Sequence, residues 1–454
     1  MSQSLLEGIR VLDLTMAYAG PIGTRILADM GAEVIKIESI QRIDMPTRKI
    51  GYPNNEPGKD PWNRGGYFHR LNVNKKGITL DLNHPKGRDI FLRLAKISDI
   101  VIESYSPRVM ENFKLGYDVL KDVKPDIIMV SMSGFGHSGP HQDYTAYMPG
   151  MEAASGFSSI TGYVDGRPLT SGTGYGDWVL GVTGMAAALT ALYYRQRTGK
   201  GQYVDASGQE AIICHLGDAV MDYVMNQRVE PRSGNKHRSM APQGCYRCKG
   251  EDEWINIAVE TEEQWRSLCK VLGEPAWTRE ERFSDPLSRW KNQGELDSLI
   301  EGWTRNLEKR QAMDILQQAG VPAGAVLNVK EVMTDPHLLE RGAFEVIDHP
   351  GGIGKFPHPK QMAAIFSKSP KFIPKAAPTL GQDNEYVLTN LLEMSQEDIS
   401  GLEKEGIIGT TPSKFVAGKE RPLPLDLMVK EGAARLEPEH LEQLSSAYHE
   451  KTGP

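Results

Sequence analysis

Ile9-Arg-Val-Leu-Asp-Leu-Thr15, then Gly20-Pro21 opening a run to Met30-Gly31, then Glu33-Val-Ile-Lys-Ile37: these three stretches decide the fold. The first and third are short apolar runs with β-branched residues and read as strands. The middle one reads as a helix, because proline is tolerated in a first turn, where its missing N–H costs nothing. The pattern then repeats: a helix over about 84–98, a strand over Ile100–Glu103, a helix near Val119 and a strand over Asp126–Ser131. Alternating short apolar strands and helices predict an α/β fold, a parallel sheet wrapped on both faces. Ligands in such sheets sit beyond the carboxyl ends of the strands. The exits to search are Thr15–Pro21, Glu103–Arg108 and Ser131–Pro140.

Outside that frame the character changes. Residues 40–70, rich in Pro, Gly, Asn and Arg, read as a long excursion, and such loops inside compact domains are usually functional or disordered. The apolar run Trp178–Tyr194 carries two threonines and two glycines and suits a buried helix better than a membrane span, which takes roughly 20 apolar residues. We divide the chain into a large domain (1–225), a smaller α+β domain (226–335), a return segment completing the large domain (336–409) and a C-terminal extension (410–454). A chain of 454 residues is too long for one ordinary core.

Composition narrows the function. The net charge of −7 argues against general nucleic-acid binding, which needs cationic surface to meet phosphates. Basic residues still crowd the first eighty positions: Lys36, Arg42, Arg48, Lys49, Arg70, Lys75 and Lys76. Four cysteines make no disulfide framework, and the opening residues show no secretory signal, so a cytoplasmic protein is expected. The single CxxC, Cys245 and Cys248, lacks the second ligand pair of a zinc site and reads as two cysteines on a strand; no metal is expected.

Asp177 follows Gly172-Thr-Gly-Tyr-Gly176 and precedes the apolar run. Capping is the plain reading, since aspartate is a favoured N-cap. The same geometry would keep an ionised carboxylate at a helix N-terminus, available as a nucleophile. Spacing alone does not choose between them. The glycines lack the full dinucleotide-loop pattern and lie far from the first strand-to-helix turn. His137, alone in a glycine loop, reads as incidental rather than as a base.

A set of ordered motifs adds to this reading. Leu6-Glu-Gly-Ile-Arg-Val-Leu-Asp-Leu-Thr15, Ala19-Gly-Pro21, Leu27-Ala-Asp-Met-Gly-Ala-Glu-Val-Ile-Lys-Ile-Glu38, Asn74-Lys-Lys-Gly-Ile-Thr-Leu-Asp-Leu82, Glu103-Ser-Tyr-Ser-Pro107, Ser133-Gly-Phe-Gly-His-Ser-Gly-Pro140, Gly176-Asp177, Trp254-Ile-Asn-Ile-Ala258 and Ala319-Gly-Val-Pro-Ala-Gly324 resemble the class III CoA-transferases, the family of formyl-CoA, carnitine and benzylsuccinate CoA-transferases. The resemblance spans about residues 5–408. It implies a Rossmann-like large domain, a small domain and an interlocked dimer of ring-shaped chains. It implies no permanently bound cofactor; acyl-CoA and free carboxylic acids are the partners, with a homodimer or a hetero-oligomer of related subunits.

By the same resemblance Asp177 is the catalytic nucleophile. Tyr18, Ala19, Gly20, Tyr147 and Gly176 surround the reacting acyl group, and Ala17, Arg42, Lys75, Lys76, Ser104, Tyr105 and Arg108 meet CoA. Two departures stand out. Formyl-CoA transferase has a glutamine where this chain has Tyr18, and a tetraglycine lid where it has Val259-Glu-Thr-Glu-Glu-Gln264. They imply a carboxylate pair larger than formate and oxalate. The resemblance to the benzylsuccinate CoA-transferases implies succinyl-CoA as donor and a bulky or aromatic-substituted succinate as acceptor, with carnitine-type or bile-acid-type acceptors, or an intramolecular CoA shift, as alternatives. The competing readings are a 2-methylacyl-CoA racemase, which would want a histidine where Tyr147 stands, and a non-catalytic CoA-binding subunit.

Overall fold

The structure, a computed structural model, describes residues 4–369, 374–414 and 423–453. In chain order the first elements are β1 (Arg10–Asp13), α1 (Ala19–Asp29), β2 (Glu33–Glu38), α2 (Gly66–Leu71), β3 (Lys76–Thr79), α3 (Pro85–Lys96), β4 (Ile100–Glu103), α4 (Tyr117–Val123) and β5 (Ile128–Ser133). They are followed by α5 (Met148–Ala154), α6 (Tyr175–Thr198), β6 (Gln202–Ser207), α7 (Gly208–Ile213) and α8 (Gly217–Asn226). The six strands form one parallel sheet in the order β3-β2-β1-β4-β5-β6. Leu12 of β1 pairs with Ile35 of β2 on one side and Val101 of β4 on the other.

Strand residues alternate between two covered faces. Leu12, Ile35, Val101 and Met129 pack with Phe91 and Leu94 of α3, Leu120 of α4 and the returning residues Val387 and Leu402. Val11, Val34, Ile100, Ile102 and Val130 pack with Leu27 and Ala28 of α1 and Leu180, Ala188 and Leu192 of α6. With both faces buried, the strands read as near-continuous apolar runs. Each such side chain contributes roughly 1.5–3 kcal/mol of burial.

The chain clusters into two compact units, one of Met1–Phe157, Thr170–Asp218 and Met333–Pro454, the other of Ser158–Leu169 and Ala219–Val332. Nothing in the sequence marks 158–169 as belonging with the later segment. The second unit holds an antiparallel sheet of β7 (Gln243–Arg247), β8 (Trp254–Ala258) and β9 (Ala323–Ala325) over a core that includes Tyr246, Ile257, Trp265, Phe283 and Leu316. In the first unit, β10 (Phe344–His349) and β11 (Gly354–Pro359) form a hairpin. The C-terminal extension is tied to it: Gly453 pairs with Lys355, and the Tyr448 hydroxyl donates to the Met333 carbonyl at 2.9 Å. No helix among the described residues is long and apolar enough to cross a membrane.

β3 is the strand the sequence hides, because a lysine and a glycine fill half of its four positions at the edge of the sheet. From β1 the chain goes to β2 on one side, and β4 lies on the other. This reversal places the switch point at the carboxyl ends of β1 and β4, where Thr15–Tyr18 and Ser104–Arg108 emerge.

Candidate active site

A buried polar network shapes the loop after β1. Asp13 accepts hydrogen bonds from the Thr15 N–H (2.9 Å), the Thr15 hydroxyl (2.5 Å), the Thr24 hydroxyl (2.8 Å) and the Lys75 ammonium (2.9 Å). Lys36 donates to the Thr15 carbonyl at 2.7 Å. Burial pushes the Asp13 carboxyl up, but Lys75, Lys36 and these hydrogen bonds outweigh it and hold it at about 2. Beyond the network, Met16 donates to the Ser104 hydroxyl (3.0 Å) and Ala17 to Asp44 (3.1 Å). These two bonds hold Ala17 in a left-handed φ of 61°, which an alanine adopts only at a cost of roughly 1–2 kcal/mol. Tyr18 then caps α1, and Ala19 and Gly20 form its first turn, where helix geometry leaves the N–H groups unpaired.

The expected CoA-binding role of Lys75 does not fit this arrangement. Its side chain is fully enclosed, and besides Asp13 its ammonium donates to Thr24 (2.8 Å), Asn72 (2.9 Å) and the Pro21 carbonyl (3.2 Å). Three N–H donors already face four oxygens, so none is left for CoA. Lys75 is a strut of the loop.

Asp177 is not the N-cap. Gly174, at φ 76°, caps α6, and Asp177 stands in the first turn. Its place beside the 17–20 loop comes from two glycines. A Cβ on Gly181 would sit 2.6 Å from the Ala19 carbonyl and 3.0 Å from Ile22, and one on Gly23 would sit 2.6 Å from the Gly181 carbonyl. α1 and α6 therefore cross backbone to backbone, bringing their N-terminal turns together. Trp178 and Tyr18 complete the surroundings: the Tyr18 and Tyr67 rings meet edge to face at 5.9 Å, and the Arg70 guanidinium lies 4.9 Å from the Trp178 ring centre.

Glu152, on α5 and fully buried, organises the glycine loop ahead of Asp177. Its carboxylate accepts from the Ser171 N–H (2.9 Å), the Ser171 hydroxyl (2.7 Å) and the Gly176 N–H (3.3 Å). Burial first and Glu152 second push the Asp177 carboxyl up to about 6. A helix terminus favours an anion by roughly 0.3–1 kcal/mol, less than the roughly 1.4 kcal/mol that moves a pKa by one, so desolvation wins. Asp177 is ionised only above about pH 6, as a poorly solvated and more basic carboxylate. With Asp177 in the expected role of nucleophile, kcat/KM should fall as pH drops through about 6 and be level above it. Glu152→Gln removes the second push and should move that midpoint down; a profile flat from about pH 5 to 8 in the parent enzyme would contradict the assignment.

The other expected positions divide. Ser104 holds Met16, and Tyr105 packs on Phe113 and feels the positive charge of exposed Arg42, so these three gather at the switch point. Arg108 is exposed and paired with Asp143 at 2.6 Å. Lys76 sits at the start of β3, over the Tyr386 ring at 3.8 Å, away from the strand carboxyl ends. Tyr147 caps α5 and is 72% exposed. His137 is engaged by Asp205 through its backbone N–H and by the Tyr203 hydroxyl at 3.1 Å, and among the described residues makes no hydrogen bond or ion pair with Asp177. Within Val259–Gln264, Thr261 and Gln264 form a reciprocal cap that starts a helix over Glu262–Val271. Sequence reasoning missed Glu152 altogether; the only trace is an acidic residue in the otherwise apolar Met148–Ala154, five positions after Tyr147.

A model of CoA-transferase family III matches residues 6–384. The chain belongs to that family. Among its relatives, the succinyl-CoA–D-citramalate CoA-transferase of Chloroflexus aurantiacus is 32% identical over 403 residues, covering 89% of this chain and 98% of the relative. The formyl-CoA:oxalate CoA-transferase of Bradyrhizobium sp. is 31% identical over 89% and 97% of the two chains. The succinate–glutarate CoA-transferase of Agrobacterium fabrum is 31% identical over 85% and 95%. A CAIB/BAIF family protein from Brucella suis superposes with a TM-score of 0.77 at 30% identity, over 86% of this transferase and all of that chain. Being a family III CoA-transferase, this enzyme works on CoA thioesters and carboxylic acids.

Proposed function

We propose that this CoA-transferase works through covalent catalysis by Asp177. The observation that carries the reading is a carboxylate raised to about 6 by burial, in the first turn of α6 and packed against the loop that ends β1. An Asp177 oxygen attacks the thioester carbonyl of the donor, the C–S bond breaks, and CoA thiolate leaves a mixed anhydride. The thiolate attacks the aspartyl carbonyl, breaking the anhydride C–O bond, and the donor acid departs from an aspartyl-CoA thioester. The acceptor carboxylate attacks that thioester, releasing thiolate and forming a second anhydride. Thiolate attack on its acyl carbon makes the new thioester and frees Asp177. One thioester is exchanged for another, so no ATP enters. First-turn N–H groups near Ala19 and Gly20 suit the developing oxyanions.

Arg42 and Tyr105 at the switch point suit the nucleotide end of CoA, with Ser104 fixing the loop between them and the acyl group. Succinyl-CoA as donor and a substituted succinate as acceptor fit the succinyl and glutarate relatives. A second copy of the chain, interlocked with the first, fits α8, which buries none of its residues and leaves Val220, Met221, Tyr223, Val224 and Met225 exposed. The racemase reading is not favoured: it would want a histidine where Tyr147 stands, and a phenol hydroxyl is a poor proton shuttle at neutral pH. Hydroxylamine added during turnover with acyl-CoA should inactivate the enzyme and leave a hydroxamate on Asp177, read by peptide mass spectrometry. Undiminished activity with Asp177 unmodified would reject the covalent route.

A further inference from the structure

Arg70 is the buried-side arginine that the network leaves over. Arg25 is held by Asp29 (3.6 Å) and the Pro359 carbonyl (3.0 Å), Arg48 by Glu38 (2.5 Å), and Arg195 by Asp99 (2.7 Å). Arg70 lies half-buried on α2, its backbone carbonyl accepting from Arg25 and its guanidinium over the Trp178 ring. Among the described residues that guanidinium makes no ion pair and donates no hydrogen bond. A half-desolvated cation with five unused donors in a fork is an open site for a planar anion.

Its position selects the anion. Trp178 is the residue after Asp177, so the stack places Arg70 next to the nucleophile's own turn. It is not the counter-ion of Asp177, whose surroundings are burial and Glu152. Tyr18 stands within electrostatic range of both Asp177 and Arg70, on the loop that frames the acyl group. We propose that Arg70 binds the distal carboxylate of a dicarboxylic acyl group whose other carboxyl carbon is attacked by Asp177, which makes short-chain dicarboxylic acids the substrate class. This rests on the covalent reading above and adds to it the anchor at the far end of the acid. Tyr67, edge to face with Tyr18, and Trp178, under Arg70, bring aromatic surface to the same region.

The test compares succinyl-CoA with butyryl-CoA, equal in chain length and different in the distal group, using the full chain. Acylation of Asp177 is read as hydroxamate and transfer as product thioester. A charge-assisted bidentate contact contributes roughly 10- to 100-fold. The parent enzyme should therefore favour succinyl-CoA by that factor in kcat/KM. Arg70→Met, which keeps the stack on Trp178, should lose the preference while acylation by butyryl-CoA and the KM for free CoA in the reverse direction hold. Arg70→Lys should recover part of it. Equal losses for both thioesters, a raised KM for CoA, or a parent enzyme indifferent to the distal carboxylate would each overturn the assignment of Arg70 and leave the covalent mechanism standing. Absence of any hydroxamate at Asp177 with either thioester would instead take down the mechanism, and the anchor with it.

Discussion

Asp177→Asn should lower CoA transfer by roughly 10,000-fold or more, the scale on which enzymes lose rate when a covalent nucleophile is removed. The amide keeps the shape of the side chain and loses the attacking oxygen anion. The same substitution should raise stability at about pH 8, by the linkage between ionisation and folding. The Asp177 carboxyl is pushed from 3.8 to about 6 in the folded chain, so its ionisation opposes folding, and the full penalty is present above about pH 6. A rise of that size corresponds to about 3 kcal/mol before solvent screening, and a gain on the order of 2 kcal/mol is expected. A catalytic loss with a higher melting temperature separates chemistry from misfolding. Activity within about tenfold of the parent would end the case for this nucleophile.

Lys75→Met should destabilise the protein by about 3 kcal/mol, because it leaves Asp13 buried without its ion-pair partner, with only the more distant Lys36 and the threonine hydrogen bonds to offset its charge. Burial alone would push that carboxyl up, and Lys75 is the foremost partner holding it at about 2. Pairing the change with Asp13→Asn should restore much of the loss, since no charge then lacks a counter-charge. Urea denaturation monitored by circular dichroism reads both. If Lys75 met CoA phosphates instead, the single variant would keep its stability and show a raised KM for the thioester.

Asp177 and Lys75 together mark where sequence reading stops. Val11, Leu12, Ile100 and Val101 announce their strands because both faces of the sheet are covered and every position must be apolar. Asp177 is findable as a residue, through its glycines and its place before an apolar run. Its environment is not: the raised carboxyl depends on burial and then on Glu152, twenty-five positions earlier and brought near by folding. Lys75 and Lys76 look alike as neighbours in a chain. Where the chain enters a strand, successive side chains leave in opposite directions, so one joins a sealed network and the other lies on Tyr386. Capping preference points to Asp177 as the helix start, yet Gly174 takes that position because a left-handed residue there costs glycine nothing.

The meeting of Gly23 with Gly181 has a consequence for how such an enzyme can change its diet. Where two helices touch through main-chain atoms, their spacing is dictated by bond lengths and van der Waals radii rather than by any choice of side chain. The span from Asp177 to the first-turn N–H groups of α1, the proposed nucleophile and oxyanion donors, is thereby insulated from substitutions at Tyr18, Tyr67 or Arg70. Those positions can be exchanged to suit a different acid while the reacting atoms keep their alignment, provided the two hydrogen-only residues stay as they are.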